Sequence, residues 1–253
     1  MKLPYHSAVL LSLLFSLPAP AEQITVAVAS NFYAPLHALA ERFQAHTSHQ
    51  INIASGSSGK IFAQISHGAP FSLFFSADQA KPAALEAKQL AVAGSRFTYA
   101  VGRLALWSNS RETPDQLSQR LQQHSYRKLA IANPRLAPYG VAAHQVLENL
   151  QLTASSRPHW VMGENIAQTF QFVRSGSADL GFVAFSQIHD SHNQGWLIPE
   201  SLHQPIRQDA VILQRAASSE AALAFVRFIQ SKEGREIIHS FGYSTPLSEN
   251  ASQ

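Results

Sequence analysis

Cysteine is absent from the 253-residue sequence. No disulfide framework, thiolate nucleophile or cysteine-built metal site can form, and a lipid anchor of the usual cysteine-linked kind is not expected. Charge is also scarce. Asp, Glu, Lys and Arg together make up 14% of the chain, and the formal net charge is +3. The basic residues Arg103, Arg111, Arg120, Arg127, Lys128 and Arg135 are scattered among glutamines and histidines. That scatter argues against nucleic-acid binding, which gathers such residues on one face or helix. With only 16 acidic residues, no carboxylate pair falls at one strand end to act as general acid and base. No Gly-x-Ser-x-Gly elbow is present, and the 12 histidines fall in no triad order.

Long apolar runs are nearly absent too. The one that stands out, Ala8 to Leu17, is too short for a permanent membrane helix. It comes after the positive start Met1-Lys2, is broken by Pro18, and leads to the small-x-small triplet Ala19-Pro20-Ala21. This is the order of regions in a secretory signal peptide. Residues 1–21 are therefore expected to be removed on export to the periplasm, leaving a chain that begins near Glu22. The remainder, in a sequence that is 45% hydrophobic, is rich enough in apolar residues to build a core without disulfides.

From Gln23 onward the chain alternates between two periodicities. Gln23 to Ala29 is rich in β-branched residues and ends at Ser30-Asn31; Leu36, Leu39, Ala40 and Phe43 then recur at helical spacing. Gln50 to Ala54 reads as a second strand, Ser55 to Gly59 as a polar loop, and Lys60 to His67 as a helix. Phe71 to Phe75 reads as a buried strand and Pro82 to Lys88 as a helix. Later, Tyr99 to Trp107, Lys128 to Ala132, His159 to Met162, Asp179 to Ala184 and Gln208 to Leu213 read as strands. Helices are expected at Val141 to Leu150, Ile166 to Arg174, Ala221 to Gln230 and Gly234 to His239. Repeated strand-loop-helix units predict an α/β fold with parallel sheets, and their number suggests two lobes. Ligands of such sheets bind beyond the carboxyl ends of the strands.

Four loops there could hold an anion: Ser30-Asn31, Ser57-Ser58-Gly59, Pro138-Tyr139-Gly140 and Glu164-Asn165-Ile166. Each separates a strand from a helix, so each offers unpaired backbone N–H groups and a partial positive charge. Ser30 and Ser58 add hydroxyls, and Tyr139 adds a phenol. Taken singly, a Ser or Asn in such a position is an ordinary helix cap; two loops in each half make a cleft with opposed walls. The string Ser55 to Lys60 is not a P-loop, because only Ser57 and Ser58 separate its glycines and Ile61 comes directly after Lys60. His189-Asp190-Ser191-His192, with His203 nearby, reads as a solvated surface loop rather than a metal site.

The loop sequences resemble those of the periplasmic molybdate-binding proteins of ABC transporters, over essentially all the chain beyond the signal peptide. The resemblance is carried by Ala29-Ser30-Asn31-Phe32, Ser55 to Lys60, Gly68 to Phe71 and Phe75 to Asp78. It continues through Gly94 to Ala100, Asn133-Pro134 with Ala137 to Gly140, Gly163 to Ile166 and Ala178 to Ala184. It implies a type II periplasmic-binding fold: lobe I from 22–100 and 211–253, lobe II from 101–210, and a ligand between them. It implies closure of the lobes around molybdate or tungstate, delivery to a membrane permease, a monomer, and no enzyme activity, cofactor or bound metal cation. The implied anion site is Ser30, Asn31, Ser58, Tyr139 and Ile166. Ser30 and Ser58 give hydroxyl and backbone donors, and Tyr139 and Ile166 give backbone N–H groups. Many members place a tyrosine where this chain has Ala184, so the Asn31 amide is expected to supply the missing donor. Sulfate or phosphate is the alternative ligand. A secreted enzyme acting on a phosphorylated substrate is the alternative class, with Glu164 as its only candidate base. A regulator's effector domain would need a helix-turn-helix where the signal peptide stands.

Overall fold

The computed structural model describes residues 21–190 and 195–245, so residues 1–20 of the expected signal peptide, His192 and the last eight residues lie outside the described residues. In chain order the elements are β1 (Gln23–Ala29), α1 (Tyr33–Gln44), β2 (Gln50–Gly56), α2 (Ser58–Ser66), β3 (Leu73–Phe75) and α3 (Ala80–Ala87). Next come β4 (Phe97–Gly102), β5 (Leu104–Trp107), α4 (Pro114–Gln122), β6 (Leu129–Ala132), α5 (Pro138–Asn149) and the short α6 (Thr153–Ser156). The chain continues with β7 (Trp160–Gly163), α7 (Ile166–Arg174), β8 (Leu180–Ala184), β9 (Trp196–Leu197), β10 (Ile206–Ile212), α8 (Glu220–Gln230) and α9 (Lys232–Ser240).

The strands form two five-stranded sheets, ordered β2-β1-β3-β10-β4 and β7-β6-β8-β5-β9. Each has a parallel centre, β2-β1-β3 in one and β7-β6-β8 in the other. The near-continuous burial of β1 fits a parallel strand covered on both faces. The first sheet packs α1, α8 and α9 on one face through Phe32, Leu36, Phe43, Phe225 and Ile238; Ile61, Ile65 and Leu85 from α2 and α3 cover the other. The second sheet is sandwiched by Leu117, Leu121, Val146 and Leu147 from α4 and α5, and by Phe170 and Val173 from α7. Two hydrophobic layers per sheet make two α/β lobes.

Three expectations are corrected. The sheets are mixed rather than parallel, because β10 runs antiparallel to β3 and β4, and β5 antiparallel to β8 and β9. The run Tyr99 to Trp107 is two strands, one in each sheet, with Arg103 between them. The expected lobe limits at 100/101 and 210/211 therefore fall inside β4 and β10, both of which pair wholly within the first sheet. By sheet membership the chain changes lobe between β4 and β5, and returns between β9 and β10. A helix that the strand-helix reading passed over, α4, carries its own start signal. The Thr113 hydroxyl accepts from Gln116 N, the Gln116 side chain accepts from Thr113 N, and Pro114 stands first in the helix.

Candidate functional site

The carboxyl ends of the parallel strands face each other across the cleft. The turn after β1 enters α1 through a single 3-10 turn, Ser30–Phe32, and β2 passes into α2 through Ser57. From the other lobe, α5 starts on Pro138, whose missing N–H is no loss in the first turn. The last of the four, α7, starts after Asn165, whose Oδ1 accepts from Gln168 N at 3.0 Å as a true cap. All four starts border one cavity, lined by Ala29, Ser30, Asn31, Gly56, Ser57, Ser58, Ala77, Ala137, Pro138, Tyr139, Asn165 and Ile166. All five residues singled out in the sequence are on this wall.

The wall includes hydroxyl and amide residues but carries no Asp, Glu, His, Lys or Arg. The backbone N–H groups of Ser58, Tyr139 and Ile166 form no hydrogen bond to another described residue. The space is small, no more than about 180 Å³, against roughly 300–1,000 Å³ for pockets that take larger organic ligands. A compact anion suits it. Orphan first-turn N–H groups at these helix starts supply positive potential without a countercharge.

Contacts across the cleft hold the two walls together. Gly59 N donates to Leu136 O at 2.8 Å. A Cβ on Gly59 would stand 3.0 Å from Leu136 Cα and 3.1 Å from its oxygen, a contact tight enough that the facing backbone would have to give way by a few tenths of an ångström. Ser30 Oγ donates to Asn165 Oδ1 at 3.3 Å and accepts from Ala167 N at 3.4 Å. At the rim, Lys60 Nζ pairs with Glu164 Oε1 at 2.8 Å, with both side chains about half exposed. Glu164 thus points outward in an ion pair and is not aimed into the cavity as a base.

Three expected side-chain donors are otherwise engaged, the first being Ser30, whose hydroxyl proton goes to Asn165 rather than into the cavity. Asn31 is buried, but its amide nitrogen donates to Gln208 Oε1 at 2.8 Å and to Tyr243 OH at 3.0 Å. Both amide hydrogens are used inside the protein, so the expectation that they compensate for Ala184 is not met. The phenol of Tyr139 turns away to Gln208 Nε2, at 3.3 Å. Burial, reinforced by the neighbouring Tyr243, pushes its pKa well above the ordinary range, so it stays neutral. Ser58 Oγ accepts from Ala77 N at 3.0 Å, which leaves its proton to give.

These side chains form a buried polar network beneath the cavity. Gln208 is fully buried in β10; its Oε1 also accepts from Tyr99 OH at 3.0 Å. Tyr243 OH donates to Asn31 O at 2.8 Å, and Ser186, just beyond Ala184, reaches the same oxygen at 3.2 Å and the phenol at 2.9 Å. Sequence reasoning missed Gln208, and placed Ser57 and Asn165 in the anion loops without assigning either a role at the site. The polar triplet Arg207-Gln208-Asp209 inside an otherwise apolar strand was a usable signal for the first.

Comparisons with known proteins agree with this architecture. The model of the family described as bacterial extracellular solute-binding protein matches residues 24–244. The molybdate-binding protein ModA of Azotobacter vinelandii is 43% identical over 234 residues, spanning 91% of this chain and 93% of the relative. The Rhodobacter capsulatus protein of the same name is 40% identical over 231 residues, 91% of each chain. The solved structure of the Azotobacter vinelandii periplasmic molybdate-binding protein superposes with a TM-score of 0.84 at 39% identity, covering 88% of this chain and 99% of that one. Two mixed-sheet lobes, a cleft walled by four helix starts, and similarity along nearly the whole length lead to one assignment: the chain belongs to the bacterial extracellular solute-binding protein family.

Proposed function

We propose that this protein captures molybdate, or the similarly sized tungstate, between its lobes and delivers it to the permease of an ABC importer. The observation that carries the reading is the convergence of four helix N-termini on one small cavity with no charged side chain. Such a wall stabilises a dianion through fixed dipoles and neutral donors. The similarity to two ModA proteins narrows the anion to molybdate. Ser58, through hydroxyl and N–H, and Tyr139 and Ile166, through N–H, are the donors we assign, with Ser30 joining the walls beside them. Asn31 keeps its place on the wall and braces it from behind.

Size selects among tetrahedral anions. A ring of fixed donors fits one radius, and a smaller anion such as sulfate leaves donors under-satisfied at about 1–3 kcal/mol each. The protein works as a monomer in the periplasm, reached through the signal peptide at 1–21, and its lobes close about the two crossings between the sheets. Titration calorimetry of anion-free protein with molybdate, tungstate, sulfate and phosphate tests the assignment. Tight binding of the first two alone supports it. Binding of sulfate or phosphate alone changes the ligand, and silence from all four removes the function.

A further inference from the structure

From the start of α2, we infer that Ser57, the residue before the expected serine, is a second side-chain donor to the bound oxyanion. The inference rests on the anion-binding reading above and adds a specificity-determining residue to it. Ser57 is 2% exposed and lies on the cavity wall. Its Oγ is buried and has no hydrogen-bond partner among the described residues. Its backbone is extended at the position that precedes the helix, where a serine hydroxyl ordinarily accepts from the second or third helical N–H. Here it does not.

The reason lies across the cleft. The second helical N–H, that of Gly59, donates instead to Leu136 O of the other lobe, at 2.8 Å. The contact that closes the lobes thereby takes one of the groups Ser57 would cap, and the hydroxyl is left with both its donor and acceptor roles unused. Of the other two wall serines, Ser58 Oγ accepts from Ala77 N and keeps its proton to give, whereas Ser30 Oγ both accepts from Ala167 N and donates to Asn165 Oδ1. A buried hydroxyl without a partner is unfavourable in the protein alone. A tetrahedral oxyanion with acceptor oxygens at every corner resolves it. Ser57 then stands beside Ser58 as a paired hydroxyl clamp, in place of the amide that Asn31 withholds.

The two possible roles of Ser57 differ in sign. A capping serine stabilises the anion-free protein, whereas an unpartnered hydroxyl held for a ligand does not. Ser57→Ala and wild type are compared by calorimetry with sodium molybdate, and by thermal unfolding without anion. The expected result is a loss of affinity of about ten- to a hundredfold, the worth of a hydrogen bond to a charged group. The unfolding midpoint without anion should be unchanged or higher. Affinity within twofold of wild type overturns the inference while leaving molybdate binding intact. A lowered midpoint without anion also overturns it, by returning Ser57 to a structural role. Wild-type protein that fails to bind molybdate overturns both readings together.

Discussion

Replacing Gln208 by methionine keeps nearly the same side-chain length and volume but removes the centre of the buried network. Hydrogen bonds at 2.8 Å from Asn31, 3.0 Å from Tyr99 and 3.3 Å to Tyr139 meet on this fully buried side chain, which also bonds the Tyr243 phenol. Their losses are unequal. One amide hydrogen of Asn31 is left buried without an acceptor, at about 1–3 kcal/mol. Tyr99 OH still reaches Ser76 O at 3.0 Å, and Tyr139 OH keeps its bond to Tyr243. Those two partners lose about 0.5 kcal/mol each, at the low end for a net hydrogen bond. The expected destabilisation is therefore about 2–4 kcal/mol, a large share of the roughly 5–15 kcal/mol that holds a domain folded. Equilibrium unfolding of anion-free protein in urea, tracked by fluorescence and circular dichroism together, should show a lower midpoint at unchanged slope. A change below about 0.5 kcal/mol would refute the claim that these groups depend on Gln208 rather than on water or on one another.

The cavity and its rim set four further outcomes. Ser58→Ala should weaken molybdate binding about tenfold or more by calorimetry, since its hydroxyl proton is the one left to give once Ala77 N is accepted. Gly59→Ala should also weaken it, because the added carbon meets the Leu136 backbone at 3.0 Å and pushes the two walls apart by a few tenths of an ångström; unchanged affinity would show that the backbone there yields without opening the cleft. Affinity for molybdate should stay within about threefold from roughly pH 6 to pH 9. The wall holds no group that titrates there, and burial raises the Tyr139 phenol so that it stays protonated throughout. Lys60→Ala should change affinity less than about fivefold, and less still in high salt, as expected of an exposed ion pair worth under about 1 kcal/mol. Stopped-flow association measured against ionic strength would separate that effect from any loss of electrostatic steering.

Much of this arrangement was readable residue by residue. Helix α7 falls at Ile166–Arg174 as its apolar spacing and its cap Asn165 indicate, and the hydroxyl and amide residues at strand ends do gather at one cavity. What local pattern could not supply was pairing. Tyr99 to Trp107 is continuous in hydrophobicity, yet a strand's sheet is chosen by distant partners: β10 for the first half, β8 and β9 for the second. The same limit misread Asn31. Its position beside the cavity was legible, but its amide is claimed by Gln208 and Tyr243, 177 and 212 residues away. Ser57 was passed over for the opposite reason. A serine before a helix is ordinarily satisfied by that helix, and only the carbonyl of Leu136 reveals that this one is not.

The division of the cavity wall between the lobes bears on how cargo is let go. Ser57 and Ser58 belong to the first lobe, Tyr139 and Ile166 to the second. With the donors proposed above, a rigid separation of the lobes strips about half of them from the anion in one motion, leaving the rest facing water. Retention depends steeply on how open the cleft is, and the fraction of time spent closed sets the apparent affinity directly. A membrane partner has no need to reach the ion or compete for it: prying the halves apart by a small angle is enough to turn a tight trap into a leaky one.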